Sequence, residues 1–239
     1  MVSLLTMALP TMSNDNALVK DPNEELLFVN TAENEVTAYD ELTEEMPSTA
    51  FKIQNIGGDQ LIDFKPLPKR RLLTLSKDGH IQLYGYSDNI ATLISEFKMN
   101  YGRIEKLRDT FTSIGVDPFD MKYFVLTTEK KNRSLSKIIL VKLTSEMAFS
   151  VLSKKTFAPA PDSVVYDIGI HKERDRPAIV YAYQHNGPRS LILMAIMNDK
   201  LEIVDKFNNF HKNRYGKCEV RDGYMYSVET TGTLRIVKI

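Results

Sequence analysis

The sequence predicts an all-β fold, and three observations lead to this prediction. Short runs rich in Val, Ile, Leu and Tyr recur along the chain, separated by polar turns that often contain Gly. The 3.6-residue periodicity of amphipathic helices is nearly absent. The runs also come in hairpin-like pairs that return about every 45 to 55 residues, a repeat length found in propeller blades.

Five pairs of runs have the spacing of β-hairpins. They are 26–31 with 35–40, 72–76 with 81–86, 123–128 with 138–143, 178–183 with 191–197, and 224–229 with 233–239. A further strand is expected before each hairpin, at 17–20, 61–64, 104–111, 164–170 and 218–221, and another after the first four, at 50–56, 92–99, 147–154 and 201–207. The repeat therefore predicts units of four strands, and Pro66-Leu-Pro68 is expected to be a loop.

Units of this kind predict a single β-propeller domain over residues 1–239, with five four-stranded blades. The last unit lacks an outer strand, and a strand-like run at 2–9 precedes the first unit. We expect this N-terminal run to complete the last blade, because ring closure leaves no unpaired sheet edge. The alternative is an open propeller that borrows a blade from a partner.

This layout, in which the start of the chain completes the last blade, resembles the WD-repeat propellers. The resemblance is limited to layout, because the chain contains no Trp and its Gly79-His80 pair falls in the hairpin tip 77–80. It implies a rigid body whose loops bind other macromolecules, so we expect an interaction or scaffold module within a larger assembly.

Composition narrows the classes of function. Lys plus Arg and Asp plus Glu both number 31, which disfavours a globally basic nucleic-acid binder. A single cysteine, Cys218, excludes an intrachain disulfide and fits the cytoplasm or nucleus. No apolar run approaches the roughly 18 residues of a membrane helix, so a soluble protein is expected.

Enzymatic motifs are sparse. The four histidines lack metal-ligand spacing, and the sequence contains no phosphate-binding Gly-rich loop and no nucleophile elbow. We therefore predict no enzyme, with no catalytic residue, no metal site and no cofactor.

One pattern leaves an enzyme or cation site open as an alternative. An aspartate lies near each first strand: Asp21, Asp63, Asp109, Asp167 and Asp222. Carboxylates in the central channel of a propeller could hold a hard cation or act as the paired acids of a sugar hydrolase. Their unequal offsets from the next strand favour instead side chains that cap turns.

A basic and aromatic cluster is the predicted partner-binding surface. Hairpin tips and connections that emerge at one end of the propeller contribute Lys130, Lys131, Arg133, His185, Arg189, Phe207, Phe210, His211, Lys212, Arg214, Tyr215 and Lys217. Such a surface fits a protein partner with acidic or phosphorylated segments. Its interleaved rings and cations also allow an RNA- or nucleic-acid-associated subunit as the alternative. The basic turn Lys69-Arg70-Arg71, expected at the opposite end, is only a weak nuclear-import signal.

Overall fold

The computed structural model describes residues 18–20, 26–32, 34–39, 49–54, 60–87, 89–99, 109–117, 122–130, 136–157, 164–171, 178–185, 191–207, 215–221, 224–229 and 231–238. These residues form nineteen strands and no helix. The strands are β1 (Leu18–Lys20), β2 (Leu27–Ala32), β3 (Glu35–Tyr39), β4 (Thr49–Gln54), β5 (Leu61–Leu67), β6 (Arg71–Ser76), β7 (His80–Ser87), β8 (Ile90–Lys98), β9 (Asp109–Val116), β10 (Tyr123–Lys130), β11 (Ser136–Leu143), β12 (Phe149–Phe157), β13 (Val164–His171), β14 (Ile179–His185), β15 (Leu191–Met197), β16 (Lys200–Phe207), β17 (Tyr215–Arg221), β18 (Tyr224–Glu229) and β19 (Leu234–Lys238).

The strands form antiparallel sheets in chain order. The first sheet contains β1 to β4, the second β5 to β8, the third β9 to β12 and the fourth β13 to β16, while β17 to β19 form a fifth, three-stranded sheet. The predicted all-β propeller architecture is confirmed, with units of four consecutive strands. The run 2–9, which we expect to complete the last blade, lies outside the described residues, so closure by this run stays a prediction.

The hydrophobic core is divided among the gaps between consecutive sheets. Phe28 and Phe64 belong to the cluster between the first and second sheets, and Leu83 and Ile139 to the cluster between the second and third. Two further clusters join the third sheet to the fourth and the fourth to the fifth. Each sheet thus packs face to face on the next, which is how blades follow one another in a propeller.

Two local predictions are corrected by the structure. Pro66 is not in a loop but in β5, where it pairs with Leu72. Proline is tolerated in β5 because β5 lies at the edge of its sheet and pairs with β6 alone. Proline has no N–H to donate, and edge strands are where sheets accommodate it. The first strand of the third sheet, β9, continues to Val116, beyond the predicted end at 111, because Ile114 is also buried in the core. Residues 104–108 of the predicted range lie outside the described residues.

The first sheet carries a polar network centred on Glu35. Its carboxylate accepts hydrogen bonds from the Thr31 hydroxyl and from Gln54 Nε2 at 3.0 Å, and Lys52 Nζ lies 3.2 Å from it. The Thr31 bond is the largest cause that lowers the pKa of Glu35, from 4.5 to about 2, against the opposing effect of desolvation. The network therefore holds Glu35 ionised on this face of the first sheet.

This depressed pKa predicts a pH-dependent contribution to stability. The stabilisation is fully present above about pH 4.5 and is lost as the pH falls towards 2, because the unfolded state binds the proton first. We expect Glu35→Gln to have a lower Tm than the wild type at pH 7, and the difference to shrink at pH 3. Thermal unfolding followed by circular dichroism checks this. A Tm difference that does not change with pH would contradict the assignment.

Candidate partner-binding surfaces

A shallow groove on the second sheet combines cations with exposed apolar side chains. It encloses about 390 Å³ and is lined by Lys69, Arg70 and Arg71 on one side and by Ile90 and Ile94 on the other. The basic residues come from the β5–β6 turn and the start of β6, and the isoleucines come from β8. Antiparallel order places the β5–β6 and β7–β8 connections at the same end of the sheet, which brings the two groups together.

The backbone of the basic turn is strained. Lys69 and Arg70 have φ angles of 63° and 53°, in the left-handed region that glycine normally occupies. For residues with a side chain this conformation costs on the order of 1 kcal/mol each. Both side chains are exposed, so burial does not offset this cost. The same conformation occurs at Met147, Asn198 and Asp199 in other turns between strands, so it belongs to the geometry of a tight turn.

Gly85 shapes the floor of the groove. A Cβ atom at this position would lie 2.9 Å from Cδ1 of Ile94, closer than side-chain atoms normally approach. The glycine therefore lets the Ile94 side chain lie over the β7 backbone. Ile94 is also the extra residue of a β-bulge, because β8 shifts register against β7 between the pairs Leu83–Ser95 and Tyr84–Leu93.

The groove offers apolar contacts and charged contacts, the two kinds that a peptide ligand uses. The two isoleucines that line it are exposed, Ile90 by 62% and Ile94 by 42%. None of the described residues that line the groove is acidic, and three of them are cationic. The aromatic residue in the lining, Tyr86, is buried and packs on Phe28 with ring centroids 5.4 Å apart. It therefore offers no free face on which a nucleic-acid base could stack.

The predicted basic and aromatic cluster lies only partly within the described residues. Lys130, His185, Phe207, Tyr215 and Lys217 lie in strands at the predicted end of their sheets, while Lys131, Arg133, Arg189, Phe210, His211, Lys212 and Arg214 lie outside the described residues. Phe207 is partly buried and packs against the cluster of Leu191 and Met225, so its ring contributes to the core between the fourth and fifth sheets. The cluster as a binding surface stays a prediction.

Asp63 joins the second sheet to the third. Its carboxylate is buried and accepts hydrogen bonds from the Phe64 N–H at 2.9 Å, the Ser113 hydroxyl at 3.2 Å and the Ile114 N–H at 3.1 Å. Lys65 Nζ lies 3.2 Å away. Asp63 is therefore within β5 and not at the β5–β6 turn, where a capping aspartate was expected. Its Oδ1 is bonded within β5 and its Oδ2 by the neighbouring sheet.

The other four predicted aspartates do not test the alternative of a cation or enzyme site in the central channel. Asp21 and Asp222 lie outside the described residues, and the structure describes only the strand positions of Asp109 and Asp167. Within the described residues, no group of three His, Cys, Asp or Glu side chains is arranged to hold a metal ion. His80 is paired with Glu96, with Nε2 and Oε2 3.2 Å apart.

Among the described residues, no helix is long and apolar enough to cross a membrane.

Comparison with known proteins identifies the fold and no family. No family model and no curated protein matches the chain. Among solved structures it is similar to Sqt1 of Saccharomyces cerevisiae, with 9% identity and a TM-score of 0.65, over 93% of this chain and 59% of Sqt1. It is also similar to the periplasmic gluconolactonase PpgL of Pseudomonas aeruginosa, with 10% identity and a TM-score of 0.62, over 92% of this chain and 56% of PpgL.

Both neighbours are propellers, and this chain spans less than two thirds of the length of either. The comparison also corrects one expectation. The prediction from sparse motifs that the protein is not an enzyme is wrong, because one of these two propeller neighbours is an enzyme, a gluconolactonase with 10% identity. At this level of identity the likeness shows that the chain has the propeller fold, and function must be argued from its surfaces.

Proposed function

We propose that this protein is a propeller module that binds protein partners, and that the groove of the second sheet binds an extended segment containing acidic and apolar residues. One observation supports this proposal: the groove is lined by three cationic residues together with two exposed isoleucines. They are Lys69, Arg70, Arg71, Ile90 and Ile94. The cations would pair with carboxylates or phosphate groups of the segment, and the isoleucines would bury its apolar side chains.

The apolar half of the groove favours a peptide over a nucleic acid. Burying one aliphatic side chain of a ligand against Ile90 and Ile94 contributes about 1.5 to 3 kcal/mol, which a phosphate backbone cannot provide. Binding without sequence preference to single-stranded nucleic acid depends instead on exposed aromatic rings. The ring in this groove, Tyr86, is buried between the first and second sheets.

Random-peptide display on the immobilised protein tests this proposal without assuming a ligand. We expect the wild type to select peptides that combine Asp or Glu with Leu, Ile or Phe, and the double variant Lys69→Glu/Arg71→Glu to bind them at least tenfold more weakly. Two close charge pairs become repulsive in this variant, and each factor of ten corresponds to about 1.4 kcal/mol.

A charge-matched variant distinguishes the effect of the groove residues on binding from the effect of the protein's net charge. Lys77 and Lys200 are exposed at hairpin turns outside the groove, so Lys77→Glu/Lys200→Glu makes the same change in charge. The proposal requires that this variant retains binding. Selection of motifs without acidic residues, or equal loss in both double variants, would contradict it. Selected peptides that bind both variants like the wild type would assign the interaction to another surface.

A further inference from the structure

Two hydroxyl groups lie in the groove of the second sheet beside its cations. Ser87 and Thr92 both line the groove, and both side chains are exposed. Ser87 is the last residue of β7, and Thr92 lies on β8. The groove therefore combines hydroxyl groups with ammonium and guanidinium groups, all of which donate hydrogen bonds.

The register of the second sheet places these donors on one face. Arg71 is paired with Gly85, and Gly85 with Thr92, so the three residues form one row across β6, β7 and β8. Ser87 lies two residues after Gly85 and points to the same face, because side chains alternate along a strand. Arg71 and Thr92 are two strand spacings apart, about 10 Å, with no side chain of β7 between them. An anion above this row can be contacted by the Arg71 guanidinium from one side and by the Thr92 hydroxyl from the other.

This set of donors exceeds what one carboxylate accepts. A carboxylate has two oxygen atoms, and a single arginine can satisfy both in a bidentate pair. A phosphomonoester has three acceptor oxygen atoms and a charge of about −1.5 to −2 at neutral pH. It can therefore accept hydrogen bonds from arginine, lysine and hydroxyl groups at the same time. The described lining residues include no acidic side chain that would repel such a dianion.

The groove also suits a phosphate on a short side chain. It is shallow, and Tyr86, the aromatic residue among the described lining residues, is buried and offers no face to the ring of a phosphotyrosine. We propose that this groove binds a phosphoserine or phosphothreonine residue of a partner protein. Lys69, Arg71 and the two hydroxyl groups contact the phosphate, and the isoleucines contact a neighbouring apolar side chain. This inference rests on the proposed function and narrows its ligand from acidic segments to phosphorylated ones.

Three degenerate peptide libraries test this inference. They are identical except at the central position, which is phosphoserine, aspartate or serine, and each is passed over the immobilised full chain. We expect the phosphoserine library to be retained at least tenfold more than the aspartate library, with Leu, Ile or Val enriched beside the phosphate. Equal or greater retention of the aspartate library would overturn the inference and leave the proposed function standing. Retention of none of the libraries would overturn both.

The pH dependence of binding distinguishes a phosphomonoester from other anions. Its second ionisation occurs near pH 6, whereas a carboxylate and the phosphodiester of a nucleic acid keep their charge between about pH 5.5 and 7.5. The titratable groups of the described lining are Lys, Arg and Tyr, which ordinarily do not titrate in this range. We expect the affinity of a selected phosphopeptide to rise at least threefold over this range, and that of its aspartate counterpart to stay within about twofold. Fluorescence anisotropy measures both. A labelled single-stranded RNA that binds more tightly than the phosphopeptide, and is lost in Lys69→Glu/Arg71→Glu, would assign the groove to nucleic acid and overturn the inference.

Removing the hydroxyl groups tests their contact with the phosphate without a change in charge. The double variant Ser87→Ala/Thr92→Val should weaken the phosphopeptide at least fivefold and the aspartate peptide less than about twofold. Ser150→Ala/Thr49→Val makes the same chemical changes at exposed residues of other sheets and should leave both affinities unchanged. An unchanged Tm shows that each variant is folded. Equal weakening of both peptides by the groove variant, or no weakening of either, would contradict the assignment.

Discussion

Replacing Asp63 with alanine is expected to lower the free energy of unfolding by about 3 to 5 kcal/mol, because it leaves several buried hydrogen-bond donors without an acceptor. The carboxylate is 1% exposed and accepts hydrogen bonds from Ser113 and from the Ile114 N–H across the gap between two sheets. Without it, these donors are left buried and unpaired, at about 1 to 3 kcal/mol for each. Urea denaturation followed by circular dichroism measures the effect.

Lys65→Ala is the matched control for this substitution. The Lys65 side chain is one-third exposed, so its contact with Asp63 is partly screened by water. Lys65→Ala leaves the hydrogen bonds to the Asp63 carboxylate in place, so we expect it to be less destabilising than Asp63→Ala. The comparison separates the hydrogen bonds between the sheets from the ion pair. If Asp63→Ala is no more destabilising than Lys65→Ala, Asp63 does not join the two sheets as described.

Replacing Gly79 with alanine is expected to cost about 2 to 5 kcal/mol, the sum of a backbone cost and a packing cost. Gly79 has a φ of 82°, which disfavours any side chain by about 1 to 2 kcal/mol. A Cβ atom there would also overlap the ring of Phe111, which is buried in the core between the second and third sheets. Forcing an extra atom into a packed core lowers the free energy of unfolding by about 1 to 3 kcal/mol more. Thermal or urea unfolding of the variant measures the sum.

Gly232 provides a control with the same backbone conformation and no steric conflict. Its φ is 87°, and a Cβ atom there would meet nothing within 4 Å. Gly232→Ala should therefore show only the conformational cost, and the difference between the two variants gives the cost of the Phe111 contact. Equal destabilisation of both variants would show that Phe111 does not pack on Gly79.

The sequence was sufficient to predict the hairpins, because their signals are local. Strand β15 (Leu191–Met197) and strand β18 (Tyr224–Glu229) begin and end where their apolar runs predict. The first strands of the sheets were less predictable. Those of the second, third, fourth and fifth sheets contain register shifts that interrupt the alternation, and β5 continues through Pro66.

The surfaces were harder to predict than the strands. The basic turn at Lys69 is visible in the sequence, but its meeting with Ile94 depends on a β-bulge and on Gly85, which no local pattern specifies. Phe207 reads as an exposed aromatic residue, yet it packs on the core between two sheets. The role of Asp63 depends on the distance between sheets, which is a property of the tertiary structure alone.

Methyl NMR tests the proposed binding site most directly. The protein is labelled at its isoleucine δ1 methyl groups and titrated with a peptide selected by display on the wild type. Ile90 and Ile94 report on the groove, while Ile203 and Ile236 are exposed on other sheets and serve as internal controls. The account predicts chemical-shift changes at Ile90 and Ile94 that are absent in Lys69→Glu/Arg71→Glu. Changes confined to Ile203 or Ile236, or changes that persist in the variant, would contradict it.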